Sequence, residues 1–131
     1  MMEEQLRIVI ADRSELAGNL YRLLLSPIGA ALVVRRRFEE ARPHFFRRDK
    51  VHLGIFNSNI FGKKFEEIAK RFIEDEPLRM TAKIFICRES PAEEGWRRSL
   101  SRLPNATVII RPFQPHELAA LVSRLLAQEG R

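Results

Sequence analysis

The chain has 131 residues, enough for one domain with one core. Its apolar fraction of 45% is that of a globular protein, no apolar run approaches the roughly 18 residues that span a bilayer, and the single cysteine, Cys87, excludes an intrachain disulfide. The net charge of +6 favours an acidic partner such as nucleic acid, an anionic membrane surface or an acidic protein face, while the acidic start, Met1-Met2-Glu3-Glu4-Gln5, carries no secretory signal, so a cytoplasmic chain without membrane partners is expected.

No internal repeat, low-complexity tract or linker interrupts the chain; short apolar runs alternate with amphipathic stretches. Leu6 to Ala11 is apolar except at Arg7 and reads as a strand covered on both faces. Leu16, Leu20, Leu23 and Leu24 recur at helical spacing and mark a first helix, which Pro27 and Gly29 stop. Ala30 to Val34 reads as the second strand. Phe38, Ala41 and Phe45 make a helical stripe, but Pro43 lies among them, so the second helix is expected to be short, late or distorted.

Val51 to Phe56 reads as the third strand, Gly62 to Asp75 as the third helix and Ala82 to Cys87 as the fourth strand. Ser90-Pro91-Ala92-Glu93 has the form of a helix start, with Ser90 as cap, Pro91 at the first helical position and Glu93 completing a capping box. The fourth helix then carries Trp96 and Leu100 to about Leu103. Ala106 to Ile110 is the fifth strand, and Pro115 opens a last helix whose apolar face holds Leu118, Leu121, Val122, Leu125 and Leu126.

Five strand–helix units with strands this apolar predict a single α/β domain over residues 1–131, with its core at about 6–127. Right-handed crossovers make a flavodoxin-like (βα)5 three-layer sandwich, with parallel sheet order 2-1-3-4-5, the best fit. Such folds place their sites at the carboxyl ends of the strands. Those ends are Ala11-Asp12-Arg13, Asn57-Ser58-Asn59, Cys87-Arg88 and Arg111-Pro112.

The run Ile8-Val9-Ile10-Ala11-Asp12-Arg13-Ser14, the strands ending at Asn57 and Cys87, and Arg111-Pro112-Phe113 occur in the order and spacing of a known family. In these pieces the chain resembles the receiver domain of bacterial response regulators, the CheY-like superfamily, over about residues 6–127. The resemblance implies a phosphorylation pocket with a Mg²⁺-binding acidic pair, an aspartate nucleophile, a Ser or Thr hydroxyl and a lysine. At the matching positions this chain has Ala11-Asp12, Asn57, Cys87 and Arg111.

Each substitution removes part of that chemistry. A carboxamide has no ionised form and cannot become an acyl phosphate. A thiol is a much weaker donor than a hydroxyl, and a guanidinium keeps a lysine's charge but not its shape. Asp12 is the only carboxylate left among the matched positions, too few for a hard cation, so neither Mg²⁺ nor another cofactor is expected. With the metal gone, either Arg111 contacts Asp12 in its place or both residues are solvated at the sheet edge. The resemblance also implies a cis bond before Pro112, and Val108 stands where the family carries its switch aromatic.

Three other groups stand out. Arg35, Arg36, Arg37, Arg42, Arg47, Arg48 and Lys50 crowd one segment, interleaved with Phe38, Phe45 and Phe46. This pattern suits an anion or nucleic-acid surface, or a short helix with phenylalanines in the core and arginines solvated. Trp96 beside Arg97, with Val108, marks a candidate protein contact on the helix 4–strand 5–helix 5 face that the resemblance implies, or else a tryptophan packed on the sheet. His44, His52 and His116 lie on separate elements without ligand spacing. Cys87 reads as a small buried hydrophobe, with a thiol activated by Arg111 as the alternative.

The reading that fits best is a non-enzymatic pseudo-receiver, independent of phosphorylation, that binds a protein partner or a second copy of itself in bacterial signalling. A nucleic-acid or other polyanion-binding module using Arg35 to Lys50 is the alternative. A working phosphotransfer receiver ranks third.

Overall fold

A computed structural model describes residues 5–129; Met1–Glu4 of the acidic start and the last two residues lie outside the described part. Five strands run β1 (Arg7–Ala11), β2 (Ala31–Arg35), β3 (Leu53–Asn57), β4 (Lys83–Arg88) and β5 (Ala106–Arg111). Between and after them lie α1 (Ala17–Leu25), α2 (Phe38–Ala41), α3 (Phe65–Glu74), α4 (Glu76–Met80), α5 (Pro91–Ser101) and α6 (Pro115–Glu129). All strand pairs are parallel and the sheet order is β2-β1-β3-β4-β5, as the pattern of the sequence predicts.

The period of two along a strand divides the core between the two sheet faces. Ile8, Ile10, Leu53, Ile55, Ile84 and Ile86 pack against Tyr21 and Leu25 of α1 and Leu118 and Val122 of α6. Val9, Ala11, Phe56, Phe85 and Cys87 point the other way, towards Phe38, Phe45, Ile68, Phe72 and Leu100. This second face is aromatic: the Phe56 and Phe72 rings meet edge-on with centroids 4.8 Å apart, and Phe72 meets Phe85 in the same way at 5.1 Å. Gly54 belongs there, because a Cβ would come within 2.7 Å of the Phe56 ring. Among the described residues no helix is long and apolar enough to cross a membrane.

The elements differ from expectation in four places. The leucine spacing locates α1 but not its buried side. Leu16, Leu20 and Leu23 are 73%, 65% and 75% exposed and only Leu24 of the set packs on the core, whereas Ala17, Gly18, Tyr21 and Leu25 are buried. The expected third helix, Gly62 to Asp75, begins with a 3₁₀ turn (Gly62–Lys64), so its α-helical part starts at Phe65.

After Asp75 adopts an extended conformation, Pro77 seeds the unforeseen α4, so the predicted fourth and fifth helices are α5 and α6. At α5, Ser90 and Pro91 take the expected positions, but Ser90 makes no side-chain cap. Instead of completing a capping box, Glu93 accepts the backbone N–H of Arg88 at 2.8 Å. The second helix is short, as Pro43 requires: α2 gives way to a 3₁₀ stretch, Arg42–Phe46.

Candidate functional site

Strand periodicity also decides which of the expected pocket residues meet. Asp12 follows Ile8 and Ile10, Asn57 follows Leu53 and Ile55, and Arg111 follows Ile109, so these three reach the α1–α6 side of the carboxyl edge. They line one cavity of about 330 Å³, with Tyr21, Asn59, Leu20, Leu24, Phe113 and Leu118 among its walls. Ala11 and Cys87 are out of phase. Both are fully buried in the aromatic core on the opposite face, so the expected single pocket holds only part of its set. Pro112, after a cis bond from Arg111, lines a shallow neighbouring depression with Arg88 and Phe113.

Asp12 is 4% exposed and its carboxylate is fully engaged. Oδ1 accepts the Ser14 backbone N–H at 2.9 Å and Asn59 Nδ2 at 2.8 Å. Oδ2 accepts the Tyr21 hydroxyl at 2.9 Å and Asn57 Nδ2 at 3.1 Å. Burial first, and then the charge of Asp12, push the Tyr21 phenol far above its ordinary range, so it stays a donor. Asn57 uses both ends of its carboxamide. Nδ2 donates to Asp12, while Oδ1 accepts the Asn59 N–H at 3.0 Å and caps the turn Ser58–Ile60.

The expected Asp12–Arg111 contact is not made, and neither is the solvated alternative. Four protein donors occupy Asp12, and no ion pair joins it to Arg111. Arg111 is half-buried at the rim, and its Nε is buried without a hydrogen-bond partner. The residues present do not fit a hard divalent cation. One carboxylate faces the cavity, its oxygens accept four donors, and the described residues include no cluster of three ligating side chains.

Cys87 is a packed thiol rather than an activated one. Burial, followed by the Glu93 carboxylate, raises its pKa to about 11, and the opposing charges of Arg97 and Arg111 do not reverse that. The candidate contact residues also turn inward. Trp96 stacks on Phe65 with centroids 5.0 Å apart and meets Phe61 edge-on at 5.5 Å, which places it between α3 and α5. Arg97 Nη1 donates to the carbonyls of Arg88 and Ser90, and Val108 packs against the aromatic core.

The basic segment divides. Phe38 and Phe45 are core residues, whereas Phe46 is half-exposed beneath the Arg42 guanidinium, 4.9 Å from its ring. Arg42 is paired with Asp75 at 2.7 Å. Arg35, Arg36 and Arg37 line a separate depression with Arg13, and Arg47 and Arg48 are exposed elsewhere. His44 is buried, and burial with the charges of Arg47, Arg35 and Arg7 holds it below the ordinary imidazole range. His52 Nδ1 accepts the Arg7 N–H, and His116 is exposed.

Sequence reasoning missed Tyr21 and the bridging role of Asn59. The only tyrosine in the chain, on a helix that follows Asp12, was the available signal for the first. No protein-family model matches the chain, and no curated protein matches it. Solved structures do. The signal receiver domain of an HD domain-containing protein from Pseudomonas fluorescens Pf-5 superposes with a TM-score of 0.78 at 17% identity, over 99% of this chain and 93% of that one. A response regulator receiver protein from Pseudomonas putida gives 0.76 at 16% identity, over 94% and 99%. A receiver-modulated diguanylate cyclase structure from Pelobacter carbinolicus gives 0.71 at 14% identity, over 95% of each chain. At such identities the likeness is one of architecture: the chain has the flavodoxin-like fold of receiver domains.

Proposed function

We propose that this chain is a receiver-type module of bacterial signal transduction that works by protein contact and takes up no phosphoryl group. The observation that carries this reading is the double engagement of Asn57, as donor to Asp12 and acceptor from the Asn59 amide. Receiver phosphorylation forms a bond between an aspartate oxygen and phosphorus, with loss of the donor's leaving group. A carboxamide oxygen is a poor nucleophile for that step. Here it is further committed to a backbone N–H, and the amide nitrogen stands where a second carboxylate would be needed.

The Asp12 donors support the same reading. Tyr21, Asn57, Asn59 and the Ser14 amide engage both oxygens that Asp12 could offer a cation, so the acid serves the fold. The module is not an enzyme and uses no Mg²⁺. Its partner is a protein, or a second copy meeting it through the α5–β5–α6 face. Ile110, 42% exposed, supports a contact there, whereas Trp96 is turned away towards α3.

The test is incubation with a small-molecule phosphodonor and Mg²⁺, followed by intact mass measurement. The expected spectrum shows the unmodified chain. Stoichiometric addition of one phosphate would overturn the proposal.

A further inference from the structure

At the carboxyl edge of β1 and β2, next to the cavity that Asp12 lines, lies a depression of about 590 Å³ lined by Arg13, Arg35, Arg36 and Arg37, with Val34 and Glu40. Four guanidinium groups share it with one carboxylate, a local excess of three positive charges (four minus one). Glu40 reaches only Arg37, at 4.0 Å. Arg36 Nε donates to the Arg13 carbonyl at 3.2 Å and Arg35 Nη1 to the Val34 carbonyl at 2.9 Å. Those bonds orient two guanidinium forks without neutralising either charge. The Arg13 guanidinium has no partner among the described residues. The Arg13 main chain is fixed on both sides, by Asn59 Oδ1 at its N–H and by Arg36 at its carbonyl.

Like charges crowded at a surface raise the free energy of the fold, and nothing in the packing of β1 or β2 requires them. Guanidinium forks match the oxygens of a phosphate, and the carboxyl edge of an open parallel sheet is where such folds bind ligands. We propose that Arg13, Arg35, Arg36 and Arg37 form a binding site for a small polyphosphate anion, such as the di- or triphosphate group of a nucleotide.

This reading replaces the continuous basic surface that the segment Arg35 to Lys50 suggests. Arg42 is taken by Asp75, Arg47 and Arg48 lie outside the depression, and Arg13 joins from a different strand end. Nucleic acid fits less well. The depression has no aromatic wall on which a base could stack, and Phe46, the exposed ring of the segment, is covered by Arg42 on one side. The site does not rest on the lost phosphotransfer, so either reading can fail without the other.

The experiment is calorimetric titration of the full chain, at physiological salt, with inorganic tripolyphosphate, with sulfate and with a single-stranded oligonucleotide. Tripolyphosphate is expected to bind saturably and sulfate much more weakly. Arg13→Ala is expected to weaken tripolyphosphate binding about tenfold or more, since each charge-assisted fork carries a large share of such a contact. Because the Arg13 side chain has no partner among the described residues, this variant should melt like the parent without ligand. Arg48→Ala, which removes the same charge elsewhere, should change binding by less than about twofold. Absence of saturable binding, equal losses from Arg13→Ala and Arg48→Ala, or oligonucleotide binding that outlasts salt and depends on Arg47 and Arg48 would each overturn the proposal.

Discussion

Two regions share the carboxyl edge of this sheet, and they treat charge in opposite ways. Around Asp12 a single buried carboxylate is met by four donors from three segments. A short distance along the edge, four arginines meet one carboxylate, with Arg13, Arg36 and Arg37 exposed and Arg35 half-buried. Asn59 joins the two, donating to Asp12 through Nδ2 and accepting the Arg13 N–H through Oδ1. A buried polar group left without partners costs free energy at once, whereas an exposed charge can wait for a ligand. The closed region therefore reads as structure and the open one as recognition.

The strongest way to break that contrast is to give the closed region a second charge. Asn57→Asp replaces a donor by a carboxylate 3.1 Å from Asp12 Oδ2, with no cation to hold the pair. Two buried carboxylates at that distance cannot both stay ionised, so one must bind a proton. The variant should lose roughly 2–4 kcal/mol at neutral pH by urea denaturation, and part of the loss should return on acidification as the pair takes up that proton. It should still acquire no phosphate from a small phosphodonor. An unchanged midpoint would mean that the Asp12 cage is not closed as described.

A gentler change probes the same cage. Tyr21→Phe removes one donor from Asp12 Oδ2 and leaves the Asn57 amide on that oxygen. A hydrogen bond to a buried charge is worth about 1.5–3 kcal/mol, so a loss of about 1–2 kcal/mol is expected with the fold intact. A neutral result would show that the phenol matters only as packing against Ile8 and Ile10.

The open side has its own pH signature through His44. Burial and then Arg47, Arg35 and Arg7 disfavour its charged form, so its folded pKa lies below the ordinary value of 6.5. The unfolded chain therefore binds the proton first. Stability is full above about pH 6.5 and is lost as pH falls through the folded value. His44→Gln should flatten the acid side of the stability profile in urea titrations between neutral and mildly acidic pH. A profile unchanged by the substitution would mean that neither burial nor the arginine charges disfavour the charged imidazole.

The architecture was legible in the sequence because period-two apolar strands and Pro or Gly stops leave few arrangements. All five strands lie where the pattern puts them, within a residue or two at the ends. The site was only partly legible. Matching residues to strand ends assigns Ala11, Asp12, Asn57, Cys87 and Arg111 to one edge, but it does not say which sheet face each side chain takes. Ala11 and Cys87 face the aromatic core, and that follows from parity along β1 and β4. The arginine depression was hidden for a different reason. Arg13 and Arg35 are far apart in sequence and meet only because β1 pairs with β2, with Ala11 opposite Arg35.

The same limit shows in α1, where a final prediction sets an exposed leucine against a buried one. Helical spacing of Leu16, Leu20 and Leu23 would make each a core residue if bulk alone chose the buried face. The structure buries Ala17, Tyr21 and Leu25 instead. Leu23→Ser should therefore change stability by no more than about 0.5 kcal/mol, as for an ordinary exposed site. Leu25→Ala, at 1% exposure, should cost about 2–4 kcal/mol through lost contacts and a cavity. Equal losses at the two positions would put the helix in the other rotational phase. Tyr21 would then turn away from Asp12, and the cage that separates the closed region from the open one would lose its phenol.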